Sequence, residues 1–190
     1  MAENENPQKL IAFLKSLRAV RQFRPDPVPQ EVIDAILDVA RWSGSASNRQ
    51  PWELVVIRNR ETLRTLASFE GFAHHLAGAP LGIVLVMAGQ SDQIEQETFD
   101  EGRLSERMML AALAYGVGSS IGWLLGTGVA HAKKLLGIPA ERTVRTILSM
   151  GYPDEEARRA RPKQAQARKP MTGIVYEEHY GTPYRGAHGS

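Results

Sequence analysis

Apolar residues recur at helical spacing near the start of the chain. The positions that share one side of this first segment are Leu10, Ile11, Phe13, Leu14 and Leu17. Their period predicts an amphipathic helix that begins at Pro7. The same kind of period from Val32 to Ala40 predicts a second helix, which ends near Trp42. Residues 18–29 lie between the two and carry three prolines, so an irregular connector is expected there.

Short runs of apolar and β-branched residues predict three strands. The run at 53–57 is β-branched, and the run at 143–149 has strand length. Residues 83–87 are apolar at each position, as in a strand that is covered on both faces.

Three further helices are expected between and after these strands. They cover residues 61–68, 104–115 and 130–136, and Gly137 closes the last of them. The stretch before the long helix, 91–102, is polar and acidic. The stretch after it, 116–128, is rich in glycine with apolar residues between the glycines. This composition is typical of closely packed backbone and tight turns.

The chain of 190 residues has the length of one domain. We expect a single domain over residues 8–184, with disordered ends at 1–7 and 185–190. Within it, residues 152–184 form a C-terminal arm, because a charged stretch is followed by returning apolar and aromatic residues at 171–184. Such a pattern indicates a segment that docks on another surface.

Composition excludes several classes of function. The chain has no cysteine, which removes disulfide scaffolds, thiolate nucleophiles and cysteine metal sites. Lys and Arg number 23 against 21 Asp and Glu, so charge alone does not indicate nucleic-acid binding. No apolar run reaches the roughly 20 residues of a membrane helix, and the polar, acidic start is unlike a signal peptide. A cytoplasmic protein without a membrane or nucleic-acid partner is expected.

Several short motifs resemble functional sites but lack the residues or the spacing that those sites require. The glycines from Gly116 onward resemble a dinucleotide fingerprint but follow a predicted helix instead of a strand. His74 and His75 are adjacent, and no pair at helical metal-ligand spacing occurs, so no metal site is expected. Four carboxylates lie close together in the polar stretch before the long helix, namely Glu95, Glu97, Asp100 and Glu101. The simplest interpretation is that they form a solvated helix face, so no side chain is assigned as a catalytic acid or base.

Two segments are better candidates. Arg18, Arg21 and Arg24 follow the first helix closely, and a cluster of guanidinium groups suits either a phosphate clamp or a solvated basic turn. Residues 43–52 are rich in short polar side chains and end in Trp52. That loop either contacts the polar edge of a planar heterocycle or forms a series of Asx and Ser turns.

Taken in order, these segments resemble the nitroreductase family of FMN enzymes. The resemblance is carried by Arg-x-Val-Arg-x-Phe from Arg18, Pro-Val-Pro at 27–29, Ala-Arg-Trp at 40–42, Ser-x-x-Asn-x-Gln-Pro-Trp from Ser45, Leu-Val-Val-Ile at 54–57, Gly-Val-Gly-Ser-Ser-Ile-Gly-Trp at 116–123, Leu-Ser-Met-Gly-Tyr-Pro at 148–153, and Arg-Lys-Pro-Met at 168–171. It implies an α+β fold with a central mixed or antiparallel sheet flanked by helices. It also implies a homodimer in which the C-terminal arm is exchanged.

The resemblance further implies FMN as cofactor, NADH or NADPH as electron donor, and a nitroaromatic, a quinone or a related small molecule as acceptor. The residues that it assigns to FMN are Arg18, Ala19, Arg21, Gly44, Ser45, Asn48, Gly122, Trp123, Arg168 and Lys169. Among these, Arg18 is assigned to the phosphate and Arg21 to the pyrimidine edge of the ring. Gly122 and Trp123 are assigned backbone contacts beside the reactive ring.

The remaining assignments come from two other parts of the chain. Gly44, Ser45 and Asn48 are assigned to a loop against the partner's flavin, and Arg168, with Lys169, to the phosphate. The chain departs from the family at Leu17, where a basic residue is usual, and at Ala19, where serine or threonine is usual. Arg168, Lys169 or Lys15 must then compensate, or the phosphate is held more weakly.

Three other functions stay open on the sequence alone. A flavin enzyme of the same family could act as a dehydrogenase or dehalogenase. The absence of the usual basic and hydroxyl side chains at Leu17 and Ala19 fits a protein that binds flavin but does not catalyse a reaction. The basic stretch 158–169 fits a nucleic-acid module, although it carries no aromatic side chains between the charges for base stacking.

Overall fold

The structure is a computed structural model that describes residues 6–160 and 168–186. Most of the two ends expected to be disordered, namely residues 1–5 and 187–190, and residues 161–167 of the basic stretch lie outside the described residues. The chain divides into two compact units, 1–158 and 159–190. Within the described ranges, each helix is too short or too polar to span a membrane.

Six α-helices form within residues 6–160 and 168–186, and local capping defines several of their ends. They are α1 (Pro7–Ser16), α2 (Gln30–Arg41), α3 (Arg60–Ala67), α4 (Ile94–Ala114), α5 (Gly126–Leu136) and α6 (Glu155–Ala160). The Asn59 side chain accepts a hydrogen bond from the Thr62 amide at the start of α3. Gly137 ends α5 with a φ of 66°, a left-handed conformation that glycine adopts without strain.

Four strands of the described part of the chain form one antiparallel sheet. They are β1 (Trp52–Ile57), β2 (Leu81–Met87), β3 (Gly118–Trp123) and β4 (Thr143–Gly151), in the order β1-β2-β4-β3. Each residue of β2 is buried, so the expectation of a strand covered on both faces is confirmed. One face packs on α2 and α4, and the other on α3 and the 3-10 turn His74–Gly78.

The sequence missed β3, which lies in the glycine-rich stretch expected to supply only turns. Its residues are mostly glycine and serine, so they lack the β-branched pattern that predicts a strand. Gly118 and Gly122 suit the strand because neighbouring chains approach closely. A Cβ on Gly118 would lie 2.7 Å from Val20, and one on Gly122 would lie 3.0 Å from Ala73.

The expectation of a solvated acidic helix face is wrong for three of the four carboxylates on which it rested, Glu95, Glu97, Asp100 and Glu101. The helix begins at Ile94, about ten residues earlier than its apolar pattern predicts, and Glu97, Asp100 and Glu101 are 2–3% exposed. Of these four side chains, Glu95 is the exposed one. Glu97 accepts hydrogen bonds from two backbone amides of the loop at 89–90.

Glu101 is held by an ion pair across to the sheet. Its Oε2 lies 2.5 Å from Nη2 and 3.0 Å from Nε of Arg145, whose guanidinium also lies 5.8 Å from the Trp123 ring centre. Removing one member of a buried pair usually costs about 3–5 kcal/mol, because the other charge stays buried without a partner. The acidic residue Glu101 is therefore part of a contact between α4 and the sheet, and not of a solvated surface.

The second unit is described over residues 159–160 and 168–186. It contains a 3-10 turn, Met171–Gly173, and a reversal in which the Glu177 amide donates to the Thr182 carbonyl at 2.9 Å. The rings of Tyr176 and Tyr180 lie 4.7 Å apart. The extent of the domain and the exchange of this arm between subunits stay predictions.

Candidate functional site

The segment that carries the first two arginines lies along the outer edge of the sheet. Ala19 pairs with Ser119 as a parallel bridge, and the Val20 amide donates to the Ser119 carbonyl at 2.8 Å. Arg18, Ala19 and Arg21 are thus held beside the beginning of β3. About a hundred residues separate the two partners in sequence, so hydrophobic periodicity gave no sign of this pairing.

A second segment covers the other end of β3. The Phe72 amide donates to the Trp123 carbonyl at 2.7 Å, and Gly71 bridges to Leu124. Backbone carbonyls of alternate residues point to the same side of a strand. The Ile121 carbonyl therefore faces the edge between the two covering segments, and the side chains of Ile121 and Trp123 are 42% and 37% exposed.

Two guanidinium groups lie at this edge without carboxylate partners. Nη1 of Arg18 donates to the carbonyls of Lys15 and Leu17 at 2.6 and 2.7 Å, which closes the end of α1. Arg18 and Arg21 are both exposed, and neither forms an ion pair with any carboxylate of the described residues. This edge can accept an anion without first breaking a salt bridge.

His75 is a candidate site residue that the sequence did not single out. Its Nδ1 lies 2.7 Å from Oγ of Ser149, while its Nε2 is buried and has no hydrogen-bond partner among the residues that the structure describes. Burial lowers the pKa of His75 below the ordinary 6.5, and the positive charge of Arg21 lowers it further. The carbonyls of Ile121 and Phe72 oppose that shift. His75 is therefore neutral at pH 7 and lies beside both Arg21 and the open part of β3.

Strand β3 itself carries two buried hydroxyl groups. Oγ of Ser119 and Oγ of Ser120 are buried and have no hydrogen-bond partner among the described residues. Such groups are uncommon in folded proteins, where buried polar atoms are usually paired. Sequence spacing does not predict them, because their burial depends on the residues that pack against β3.

The polar loop predicted at 43–51 is anchored to α4. The Ala46 amide donates to Oδ2 of Asp100 at 3.0 Å, and Oγ of Ser45 accepts from the Gln50 amide at 2.9 Å. Ser47, Asn48 and Gln50 have φ values of 50–54°, a region that side-chain-bearing residues rarely adopt. Local strain of this kind is often found at functional loops.

Open space adjoins this loop. A cavity of about 350 Å³ is lined by Ala46, Arg49 and the buried carboxylates Glu97 and Asp100, among others. A neighbouring cavity of about 390 Å³ includes Ser45 and Phe99. Neither cavity is lined by Arg18, Arg21 or Trp123.

The structure therefore separates the predicted site residues into groups. Arg18, Ala19 and Arg21 lie with Gly122 and Trp123 at β3, whereas Gly44, Ser45 and Asn48 precede β1. These two strands are the opposite edges of the sheet, about 14 Å apart at a spacing of about 4.8 Å per strand. Arg168 and Lys169 belong to the second unit, and their approach to the phosphate stays a prediction.

The glycines at 116–118 do not form a dinucleotide loop. Gly116 follows α4, and Gly118 begins β3, which is the reverse of the strand-to-helix order that such a loop requires. Among the residues that the structure describes, no group of histidine and carboxylate side chains is arranged to hold a metal ion.

Comparison with known proteins finds similarity to the nitroreductase family and to NAD(P)H oxidoreductases. A family model described as the nitroreductase family matches residues 14–71. A Methanothermobacter thermautotrophicus protein named "Putative NADH dehydrogenase/NAD(P)H nitroreductase" is 29% identical over 151 residues, which is 77% of this chain and 78% of its own. A Thermus thermophilus protein named NADH dehydrogenase is 27% identical, over 73% of this chain and 84% of its own.

Solved structures agree on the architecture. The FMN-dependent nitroreductase of Clostridium difficile R20291 superposes with a TM-score of 0.78 at 24% identity, over 90% of this chain and 99% of that chain. The expected α+β fold is thereby confirmed, and its sheet is antiparallel throughout.

The neutral state of His75 predicts a pH dependence of stability. The unfolded chain binds a proton near pH 6.5, whereas the folded chain resists it, so the free energy of unfolding falls as the pH drops below about 7. The slope due to His75 is at most about 1.4 kcal/mol per pH unit. His75→Gln removes this proton, so its urea midpoint should fall less than that of the wild type between pH 7.5 and 5. Parallel midpoints for the two proteins would contradict the buried neutral state.

Proposed function

We propose that this chain is an FMN-dependent oxidoreductase of the nitroreductase family, to which its matched segment and its relatives are similar. In this proposal NADH or NADPH donates hydride, and the acceptor is a nitroaromatic, a quinone or a related small molecule. Relatives named NAD(P)H nitroreductase and NADPH-flavin oxidoreductase support the general class of reaction. The proposed site is the open edge of β3 with the residues that flank it.

The observation that carries the proposal is the chemistry of that edge. An apolar strip formed by Ile121 and Trp123 shares the edge with the guanidiniums of Arg18 and Arg21, which have no carboxylate partner among the described residues. FMN has matching parts, since it joins a planar, largely apolar ring with a polar pyrimidine edge to a phosphate. The residues present therefore fit this cofactor.

Each flanking residue has a proposed role. Arg18 would use its Nε and Nη2 donors for a phosphate, because within the described ranges its hydrogen bonds at the end of α1 come from Nη1. Arg21 would face the pyrimidine edge, where a fixed positive charge favours negative charge on the neighbouring ring. FMN, when bound, supplies the hydride chemistry. The protein's part is to bind, orient and exclude water.

A flavin-binding protein without turnover is the second candidate. Leu17 and Ala19 provide no charged or hydroxyl donor where the family usually has one, so the phosphate has fewer contacts. Ala19 does serve the fold, because its backbone bridges to β3. Lys15, Arg168 and Lys169 are the proposed replacements.

We also propose that the site is completed in a homodimer. The loop with Gly44, Ser45 and Asn48 lies at the opposite sheet edge from Arg18, so one chain does not bring both halves together. In addition, α1 has no buried residue, and Leu10 and Leu14 on its apolar face are 51% and 44% exposed. A second copy of the chain would cover that face and supply the missing loop.

The enzyme proposal is tested by an anaerobic spectrum. Purified protein reconstituted with FMN should be yellow, and NADH or NADPH should bleach the flavin band under nitrogen. Addition of a nitroaromatic or a quinone should then restore the band. A yellow protein that neither donor bleaches would be the passive flavin binder instead.

The role of Arg18 is tested by comparing two flavins. Arg18→Ala removes a charge-assisted contact worth roughly 1.5–3 kcal/mol, so FMN affinity should fall by about 10- to 150-fold. Riboflavin lacks the phosphate, and its affinity should hardly change. Equal losses for both ligands, measured by fluorescence titration of the apoprotein, would refute the phosphate assignment.

The dimer is tested on α1. Leu14→Glu places a charge on the exposed apolar face and should shift the protein toward monomers in sedimentation velocity. FMN affinity should fall with it, because assembly and cofactor binding are linked. Ala12→Glu adds the same charge about half a turn around the helix and is the matched control. A Leu14→Glu protein that remains dimeric would show that α1 is not the interface.

A further inference from the structure

The turn between β3 and α5 is held in place by residues 70–72, which belong to a different segment. We propose that Glu70 is a positioning residue that sets the backbone of residues 123–126, beside which the flavin ring lies. The inference rests on the proposed function, because it concerns the same edge of β3.

The Glu70 side chain caps α5 from outside that helix. Its Oε2 accepts hydrogen bonds from the Thr127 amide and from Oγ1 of Thr127, each at 2.9 Å. These bonds lower the pKa of Glu70, so the side chain is a carboxylate at neutral pH. Leu125, which precedes α5, has no side-chain oxygen to serve as its own cap. The start of α5 therefore depends on Glu70.

The backbone of the same segment binds the turn at three consecutive residues. The Glu70 carbonyl accepts from the Leu125 amide at 3.0 Å, Gly71 bridges to Leu124, and the Phe72 amide donates to the Trp123 carbonyl at 2.7 Å. Side-chain and backbone contacts of 70–72 thus join the end of β3 to the first turn of α5.

Glycine is required at both sides of this contact. A Cβ on Gly126, whose φ is 47°, would approach the Glu70 carboxylate to 2.4 Å, and one on Gly128 would lie 2.3 Å from the Glu70 carbonyl. A Cβ on Gly71, whose φ is 138°, would lie 2.1 Å from the Trp123 carbonyl. The two segments are closer than side chains at these positions would permit.

The charge of Glu70 also affects how an anionic ligand is oriented. The beginning of a helix carries a partial positive charge that attracts anions. At α5 this position is already taken by the Glu70 carboxylate, so a phosphate is disfavoured there and favoured near Arg18 at the other end of β3. Glu70 therefore acts on the ring end of the site and not on the phosphate end.

A matched pair of cap variants separates positioning from general stability. Asn59 makes the same two contacts at α3, with the Thr62 amide at 2.9 Å and Oγ1 of Thr62 at 3.1 Å, away from the edge of β3. Glu70→Ala and Asn59→Ala each remove one such cap. Both should lower the melting temperature, and the apoproteins are titrated with FMN and with riboflavin below that temperature.

The two variants should differ in flavin binding. Glu70→Ala should weaken FMN and riboflavin by the same factor, about threefold to tenfold, because the ring end is displaced for both ligands. Asn59→Ala should leave both affinities at the wild-type value. Glu70→Gln keeps an acceptor oxygen and should recover part of the loss. If Glu70→Ala does not fold, Thr127→Val removes one of the two bonds and should weaken both flavins by about two- to threefold.

The outcomes against the proposal are distinct. Glu70→Ala and Thr127→Val proteins with wild-type affinity for both flavins would overturn the positioning role, and so would a loss confined to FMN, which would place the effect at the phosphate. A wild-type protein that binds neither flavin would overturn the proposed function itself, and the positioning role with it.

Discussion

An edge strand exposes a row of backbone amides and carbonyls, and the candidate site depends on how this chain satisfies those of β3. Ala19 and Val20 cover one end of the strand, and residues 70–72 cover the other. Ile121 lies between them with its carbonyl toward the edge. Unprotected edges tend to pair with other chains. In this protein, residues 19–20 and 70–72 cover the two ends of β3 and leave its middle, around Ile121, uncovered. Arg21 and His75 lie close to each other in the same region.

The close approach of these covering segments explains the composition of β3. Gly118 leaves room for Val20, and Gly122 leaves room for Ala73, so the two segments can reach the strand on its sheet face. The serines between the glycines are small enough to be buried there. A strand of larger β-branched residues would bury more apolar surface but would hold Val20 and Ala73 away.

Buried carboxylates of α4 lie on the sheet face opposite to the one that packs on α3. On α4, Asp100 binds the backbone of the loop that precedes β1, and the neighbouring Glu101 binds Arg145 of β4. One helical segment thus orients both the strained loop at 47–50 and the cation beside Trp123. Burial of carboxylates is costly unless they are paired and hydrogen-bonded. Their partners, and not their own polarity, decide that they lie inside.

The sequence alone determined the elements whose signals are local. Helical periodicity predicted α1 and α2, a continuous apolar run predicted the covered strand β2, and Gly137 marked the end of α5. The ordered motifs around Arg18 and Ser45 resemble the nitroreductase family, and this resemblance depends on no tertiary contact. Tertiary structure alone decided that β3 is a strand and that Glu97, Asp100 and Glu101 are buried. It also decided that His75 contacts Ser149 of β4 and that Glu70 caps α5. The physical reason is that each of these depends on a partner far away in sequence, and residue type and spacing do not specify such a partner.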